Sequence, residues 1–361
     1  MWHVLLVTAA TLPSVLVVGG SGRVGGSTLR WLRELSAREG APLALSVGGR
    51  SRASFERAAS RLRSRYGVVD LDFVPLDLDA PASLAAAVAG RACVIHTAGP
   101  FQQREDPALL KACIDARVPY CDVCDELALS RNAQLLSERA ASAGVPAVLS
   151  CGIWPGVSAL LAAEAISRLG ASECRSLDLS FFTAGTGGAG PTIVSATFLL
   201  LCQAAITVAD GREVGVEPWT SARAVDFGPG VGTREVFLLD NPDVPTCARA
   251  LGVRACAFPV PSLYLPCTFP ARCARALGVR ACASRFGTAP RVWNSLFGAL
   301  KLLPRSLLSD EGFTDGLARF SMPLIRAVDA LVGATNAMRV DATAEDGSAI
   351  TLRVAHADLE S

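Results

Sequence analysis

Residues 15–25 read VLVVGGSGRVG, and Gly20-Ser21-Gly22-Arg23-Val24-Gly25 fits the spacing G-x-G-x-x-G. The spacing has meaning here because it follows a β-branched run and opens a helical pattern. Gly20 would permit the tight turn, Gly22 the approach of a pyrophosphate, and Gly25 close packing of helix on strand. Ser21, Arg23 and Val24 complete the phosphate-binding turn, where the first N–H groups of the helix face an anion. The second strand ends Val47-Gly48-Gly49-Arg50-Ser51-Arg52. NAD sites of this kind place an acid at that point to hold the ribose 2′-hydroxyl. Arg50 and Ser51 stand there instead, and a guanidinium is suited to a 2′-phosphate. The expected cofactor is therefore NADP(H) rather than NAD(H). Asp77, after the third strand, would face the adenine side. Thr97, Ala98, Gly99 and Pro100, after the fourth, would let the cofactor lie against the backbone near the nicotinamide ribose.

A proton-transferring group is harder to find. The lysines are Lys111 and Lys301, and none of Tyr66, Tyr120 and Tyr264 has Lys four residues on. This excludes a Tyr-x-x-x-Lys donor pair. The acids at the end of the fifth strand remain: Asp122 first, then Asp125, with Tyr120 and Glu126 beside them. A carboxylate there could orient an amine or relay a proton. Asp125-Glu126 also reads as ordinary helix N-terminal chemistry. Cys151 is expected at the same edge. No His/Cys set has the spacing of a metal site, since Cys121-x-x-Cys124 lacks a second half.

These residues need strands to hold them. Strand patterns occur at 15–18, 43–47, 71–75, 92–97, 120–123 and 147–150. Helical patterns lie between them at 27–38, 54–66, 81–89, 107–116 and 127–143. The alternation predicts an α/β fold, with a doubly wound parallel sheet in residues 14–155. A helix at 157–169 opens a second, α+β domain over 156–361. It is expected to hold a strand at 176–183, an apolar helix from Thr192, a turn at Asp210-Gly211 and an antiparallel hairpin around Asp346-Gly347. CARALGVRACA occurs twice, at 247–257 and 273–283. Structural repeats diverge, so identical copies read as a local duplication. The sequence predicts that residues 247–272 loop out.

A net charge of +1 over 361 residues gives no case for nucleic acid or an anionic membrane as partner. The twelve cysteines lie mostly in apolar segments and suit a reduced compartment. Residues 4–10 lack the basic flank of a signal peptide. The expected location is cytoplasmic, or plastid if a leader precedes this sequence. The longest apolar run, Thr192 to Ala209, is short for a membrane span. It reads as a buried or dimer-interface helix, and the expected partners are a small-molecule substrate and a second copy of the chain.

Several stretches together resemble the saccharopine dehydrogenase-like oxidoreductases, above all their plant and algal members. They are VLVVGGSGRVGGSTLRWL (15–32), VGGR (47–50), VIHTAGPFQQ (94–103), ALLKACIDARVPYCDVCDE (108–126), GIWPGVSALLAAE (152–164), TAGTGGAGPT (183–192), VDFG (225–228) and RFGTAPRVWN (285–294). The resemblance implies an NADP-binding Rossmann domain and an α+β domain covering its cleft. It also implies hydride transfer between NADP(H) and the carbon of an imine, a secondary amine or a related carbonyl. In saccharopine reductases that reaction joins glutamate to aminoadipate semialdehyde, within lysine metabolism. Gly20, Gly22, Gly25, Arg50, Ala98, Gly99 and Asp122 carry over from the motifs. The alternative is a catalytically silent NADP-binding scaffold or sensor, membrane- or lipid-associated through Thr192 to Ala209.

Overall fold

The computed structural model describes residues 12–170, 174–185, 191–250 and 279–356. The first sheet is parallel, in the order β3-β2-β1-β4-β5-β6. Its strands are β1 (Ser14–Val18), β2 (Ala44–Gly49), β3 (Leu71–Pro75), β4 (Cys93–His96), β5 (Tyr120–Asp122) and β6 (Ala147–Val148). Leu16 and Val18 face one apolar core, and Val15 and Val17 face another. A strand covered on both faces must be apolar at every position, which is why β1 reads as an unbroken run. Helices α1 (Arg23–Arg38) and α2 (Arg52–Tyr66) cover one face. The other face carries α3 (Pro81–Val88), α4 (Ala108–Asp115), α5 (Leu127–Gln134) and α6 (Ser137–Ala143). The strand order reverses between β1 and β4, and a ligand crevice opens at such a switch point.

Two local expectations need correction. The helix expected over 127–143 is two helices. Ser137 Oγ donates to Gln134 O at 2.6 Å, and this side-chain bond competes with the helical ladder where α5 ends. Helix α1 begins at Arg23, a turn before the expected Ser27, because the glycine turn itself launches it.

Helix α7 (Val157–Leu169) packs on a second sheet through Ala162 and Ala165. That sheet centres on β7 (Cys174–Ala184), with Leu177, Leu179 and Phe181 facing α7. After β7 come α8 (Pro191–Leu200), β8 (Ala205–Ala209), β9 (Arg212–Val216), β10 (Arg223–Asp226), β11 (Thr233–Leu238) and α9 (Asp243–Ala250). Then follow β12 (Ala281–Ala289), α10 (Arg291–Leu300), α11 (Arg305–Leu308), α12 (Glu311–Val332), β13 (Asn336–Ala344) and β14 (Ala349–His356). The sheet is mixed rather than wholly antiparallel, because β12 runs parallel to β7 over nine residue pairs.

The run from Thr192 to Ala209 is not one helix. It stays helical to Leu200, turns, and becomes β8 where Ile206-Thr207-Val208 are all β-branched. No described helix is long and apolar enough to cross a membrane. Asp210 and Gly211 both take positive φ, 49° and 72°, and join β8 to β9 in a two-residue hairpin.

The two copies of CARALGVRACA are used in halves. Cys247 to Ala250 of the first copy form the last turn of α9, with Cys247 in the core. Val279 to Ala283 of the second lead into β12, with Val279 and Cys282 in the same core. The expected loop therefore does not begin at Cys247. The rest of that expectation, residues 251–272, lies outside the described residues.

Candidate active site at the sheet switch point

The glycine turn is locked backbone against backbone. Gly19 has φ +81° and donates from its N–H to Gly48 O at 2.9 Å. An ideal Cβ on Gly19 would lie 2.7 Å from Ala98 N. A Cβ on Gly25 would lie 2.5 Å from Gly19 O and 2.7 Å from Thr97 Oγ1. Thr97 Oγ1 in turn donates to Val18 O at 2.8 Å. Only bare backbone lets β1, α1 and the loop after β4 meet this closely. The left-handed residue of the tight turn is Gly19, which the spacing G-x-G-x-x-G does not count. The double glycine after Val18 was its signal.

Gly22 is the N-cap of α1 and offers no side-chain cap. The helix terminus is thus left for an anion, and the cradle fits a pyrophosphate. Arg50 is exposed after β2 and makes no ion pair or hydrogen bond among the described residues. Arg52 stacks on the Phe73 ring at 5.0 Å. Ser51 Oγ caps α2 by accepting from Ser54 N at 3.2 Å. Of that expected pair, Arg50 is the group free to reach a 2′-phosphate, while Ser51 already has a structural bond. Asp77 Oδ1 accepts from Asp79 N at 3.2 Å, within the turn that leads to α3.

The candidate acids fall into two places. Tyr120 and Asp122 are buried on the face that carries α4 and α5. They line a small cleft together with His96. Tyr120 Oη lies 3.1 Å from His96 Nδ1. Asp122 Oδ1 accepts from Ser150 N at 2.7 Å and Cys124 N at 3.1 Å. Burial raises its pKa, and these bonds oppose the rise. Burial lowers His96 to about 4, with Arg104 adding to the effect, so the ring is neutral near pH 7. These bonds fix Asp122 as the anchor of the turn at residues 122–125.

Asp125 faces another, small cavity between the two sheets. Trp154, Phe181 and Phe286 form aromatic walls, and Asp240 and Asn241 come from the far side. The Trp154 and Phe181 ring centroids are 5.0 Å apart. Burial raises Asp125 to about 6, and the nearby Gln102 amide opposes the rise. Burial also raises Asp240 to about 6, and nearby Glu126 adds to the rise. Asp240 Oδ1 accepts from Ile206 N at 2.9 Å. Glu126 caps α5, where Oε1 accepts from Ala128 N at 3.2 Å. The pocket thus sets two carboxyls that titrate near pH 6 among aromatic rings, at the carboxyl edge of the first sheet. Sequence reasoning missed Asp240, Asn241 and Trp154, whose local sequence gives no sign that they meet Asp125.

Residues 15–148 match the family described as saccharopine dehydrogenase NADP binding domain. The trans-acting enoyl reductases of Mycobacterium bovis (strain BCG / Pasteur 1173P2) and Mycobacterium tuberculosis (strain ATCC 25618 / H37Rv) are each 29% identical to this chain over 139 residues. The match covers 38% of this chain and 32% of theirs, so the chain spans about a third of the length of these relatives. Among solved structures, vestitone reductase from alfalfa is 20% identical over 38% of this chain and 55% of that one, with TM-score 0.29. NADPH-bound carbonyl reductase from chicken fatty liver is 17% identical over 38% of this chain and 74% of that one, with TM-score 0.30.

Proposed function

We propose that the chain is an NADP(H)-dependent oxidoreductase, a reading supported by the match of residues 15–148 to the saccharopine dehydrogenase NADP binding domain. Its substrate would be an imine, a secondary amine or a related carbonyl. The observation that carries this reading is the pocket that Asp125 and Asp240 both line, with aromatic walls, at the carboxyl edge of the first sheet. NADPH, when bound, supplies a hydride. Gly19, Gly22 and Gly25 would let the backbone hold its pyrophosphate, and Arg50 would pair with its 2′-phosphate. Trp154, Phe181 and Phe286 exclude water from the substrate carbon. The Asp125 carboxyl would deliver a proton to the nitrogen or oxygen of the bond being reduced. A carboxyl near 6 is well matched to this task, because it can both hold and release a proton close to neutral pH. Asp240, when ionised, holds a cationic amine on the far wall. Asp122 and Tyr120 act as positioning residues, since Asp122 fixes the turn that presents Asp125.

The test follows NADPH oxidation at 340 nm against cyclic imines, amine–aldehyde mixtures, simple carbonyls and an enoyl thioester. Turnover of an imine or carbonyl supports the reading. Turnover of the enoyl thioester alone moves the reaction to a C=C bond. Tight NADPH binding without any turnover would favour a silent scaffold.

A further inference from the structure

Helix α12 is apolar on two opposite faces, and the described residues cover only one. Ala318, Met322 and Ile325 pack inward on Val194 and Phe198 of α8. On the outside, Phe320 is 84% exposed, Leu324 62% and Leu331 86%. Exposed apolar residues fall at 316, 320, 324, 327 and 331, in steps of four, four, three and four. These steps keep one apolar stripe on the outer face over four turns. A helix that is apolar all round is normally buried all round.

We infer that this outer face of α12 pairs with α12 of a second copy of the chain, antiparallel about a twofold axis near Pro323–Leu324. The sizes along the seam favour that orientation. The twofold sets Phe320 against Ala327 of the other copy, and Leu331 against Gly316. Parallel pairing would stack Phe320 on itself and glycine on glycine. Antiparallel pairing of one patch with itself closes the assembly at two copies. The three large side chains present on the order of 400 Å² of apolar surface per copy. With the small residues between them, the pair would bury on the order of 1,000 Å² in total, where specific interfaces begin. A net charge of +1 sets little repulsion between copies. The seam has charges of both signs within a turn, with Asp315 and Arg319 bonded at 2.8 Å. That mixed border suits another protein surface better than a lipid one.

The test is sedimentation of the whole chain from 1 to 100 µM, as wild type, Phe320→Glu and Leu324→Glu. Both positions are exposed, so each variant should keep the wild-type circular dichroism. Wild type is expected as a dimer and each variant as a monomer, with at least a tenfold rise in the dimer dissociation constant. Under mild oxidation, Leu324→Cys is expected to form a covalent dimer, and Leu331→Cys to stay at the level of wild type. A monomeric wild type at 100 µM overturns the inference. So does a dimer that both variants leave intact, or a monomeric wild type that floats with phosphatidylcholine–phosphatidylserine vesicles.

Discussion

The cofactor turn and the aromatic pocket are built in opposite ways. The turn is bare backbone: Gly19, Gly25 and Ala98 approach so closely that a single methyl group would displace one of them. The pocket is all side chain, with Asp125 from one sheet facing Asp240 and Phe286 from the other unit and Trp154 from the link between them. A steric site has no tolerance and little dependence on pH. A site of buried carboxyls tolerates isosteric change and depends strongly on pH. The two regions should therefore fail differently when altered.

The largest effect is expected at the turn. Gly25→Ala puts a Cβ 2.5 Å from Gly19 O and 2.6 Å from Gly20 Cα. Overpacking of this kind costs about 1–3 kcal/mol, and calorimetry should show NADPH binding lost. Retained binding would show that the turn can relax, and would blur the contrast.

The pocket should respond to pH instead. Asp240 is raised from 3.8 to about 6, so the folded chain holds this proton more tightly than the unfolded one. Its contribution to stability is complete below about pH 4 and is lost as pH rises through about 6. Asp240→Asn keeps an acceptor for Ile206 N but never ionises. It should therefore be more stable than wild type at pH 8, by on the order of 2–3 kcal/mol. At pH 4 the two melts should converge. Equal differences at both pH values would mean that the carboxyl is not buried as described.

Arg50→Ala should weaken NADPH by roughly tenfold to a hundredfold, the worth of charged hydrogen bonds to a phosphate. NADH affinity should not change. Equal loss for both nucleotides would move Arg50 away from the 2′-phosphate. The smallest effect is expected from deleting residues 251–276. The join rebuilds one CARALGVRACA, in which Cys247–Ala250 stay helical and Val279–Ala283 stay at the strand. The shorter link lowers the closure entropy, so stability should rise by up to about 2 kcal/mol with NADPH affinity kept. A deletion that unfolds the chain would give the intervening residues a structural role.

The same contrast decides what could be read from residue order. The turn is local: a buried strand, the glycines and the helix follow one another within residues 14–38, so their spacing carried the geometry. Even there Gly19 was overlooked, because its role depends on Ala98 from another strand. The parallel sheet was legible because β1 is apolar on both faces. The break between α5 and α6 was not, because one Ser137 side-chain bond decides it. The end of α8 was hidden in an apolar run where helix and strand look alike. The pocket was legible only in part. Asp125 stood beside a strand end, but Asp240 and Trp154 reach it through the packing of the second sheet on the first. The acid chosen first, Asp122, is instead held by two backbone N–H groups.

The most direct test of the account is the pH dependence of NADPH oxidation with an imine substrate, in wild type and Asp125→Asn, between pH 5 and 9. With Asp125 near 6, the wild-type rate should fall as pH rises past about 6. The variant should be roughly a hundredfold slower, with that limb of the profile gone. A variant that keeps both the wild-type rate and the wild-type profile would contradict the account, and would remove Asp125 from the chemistry.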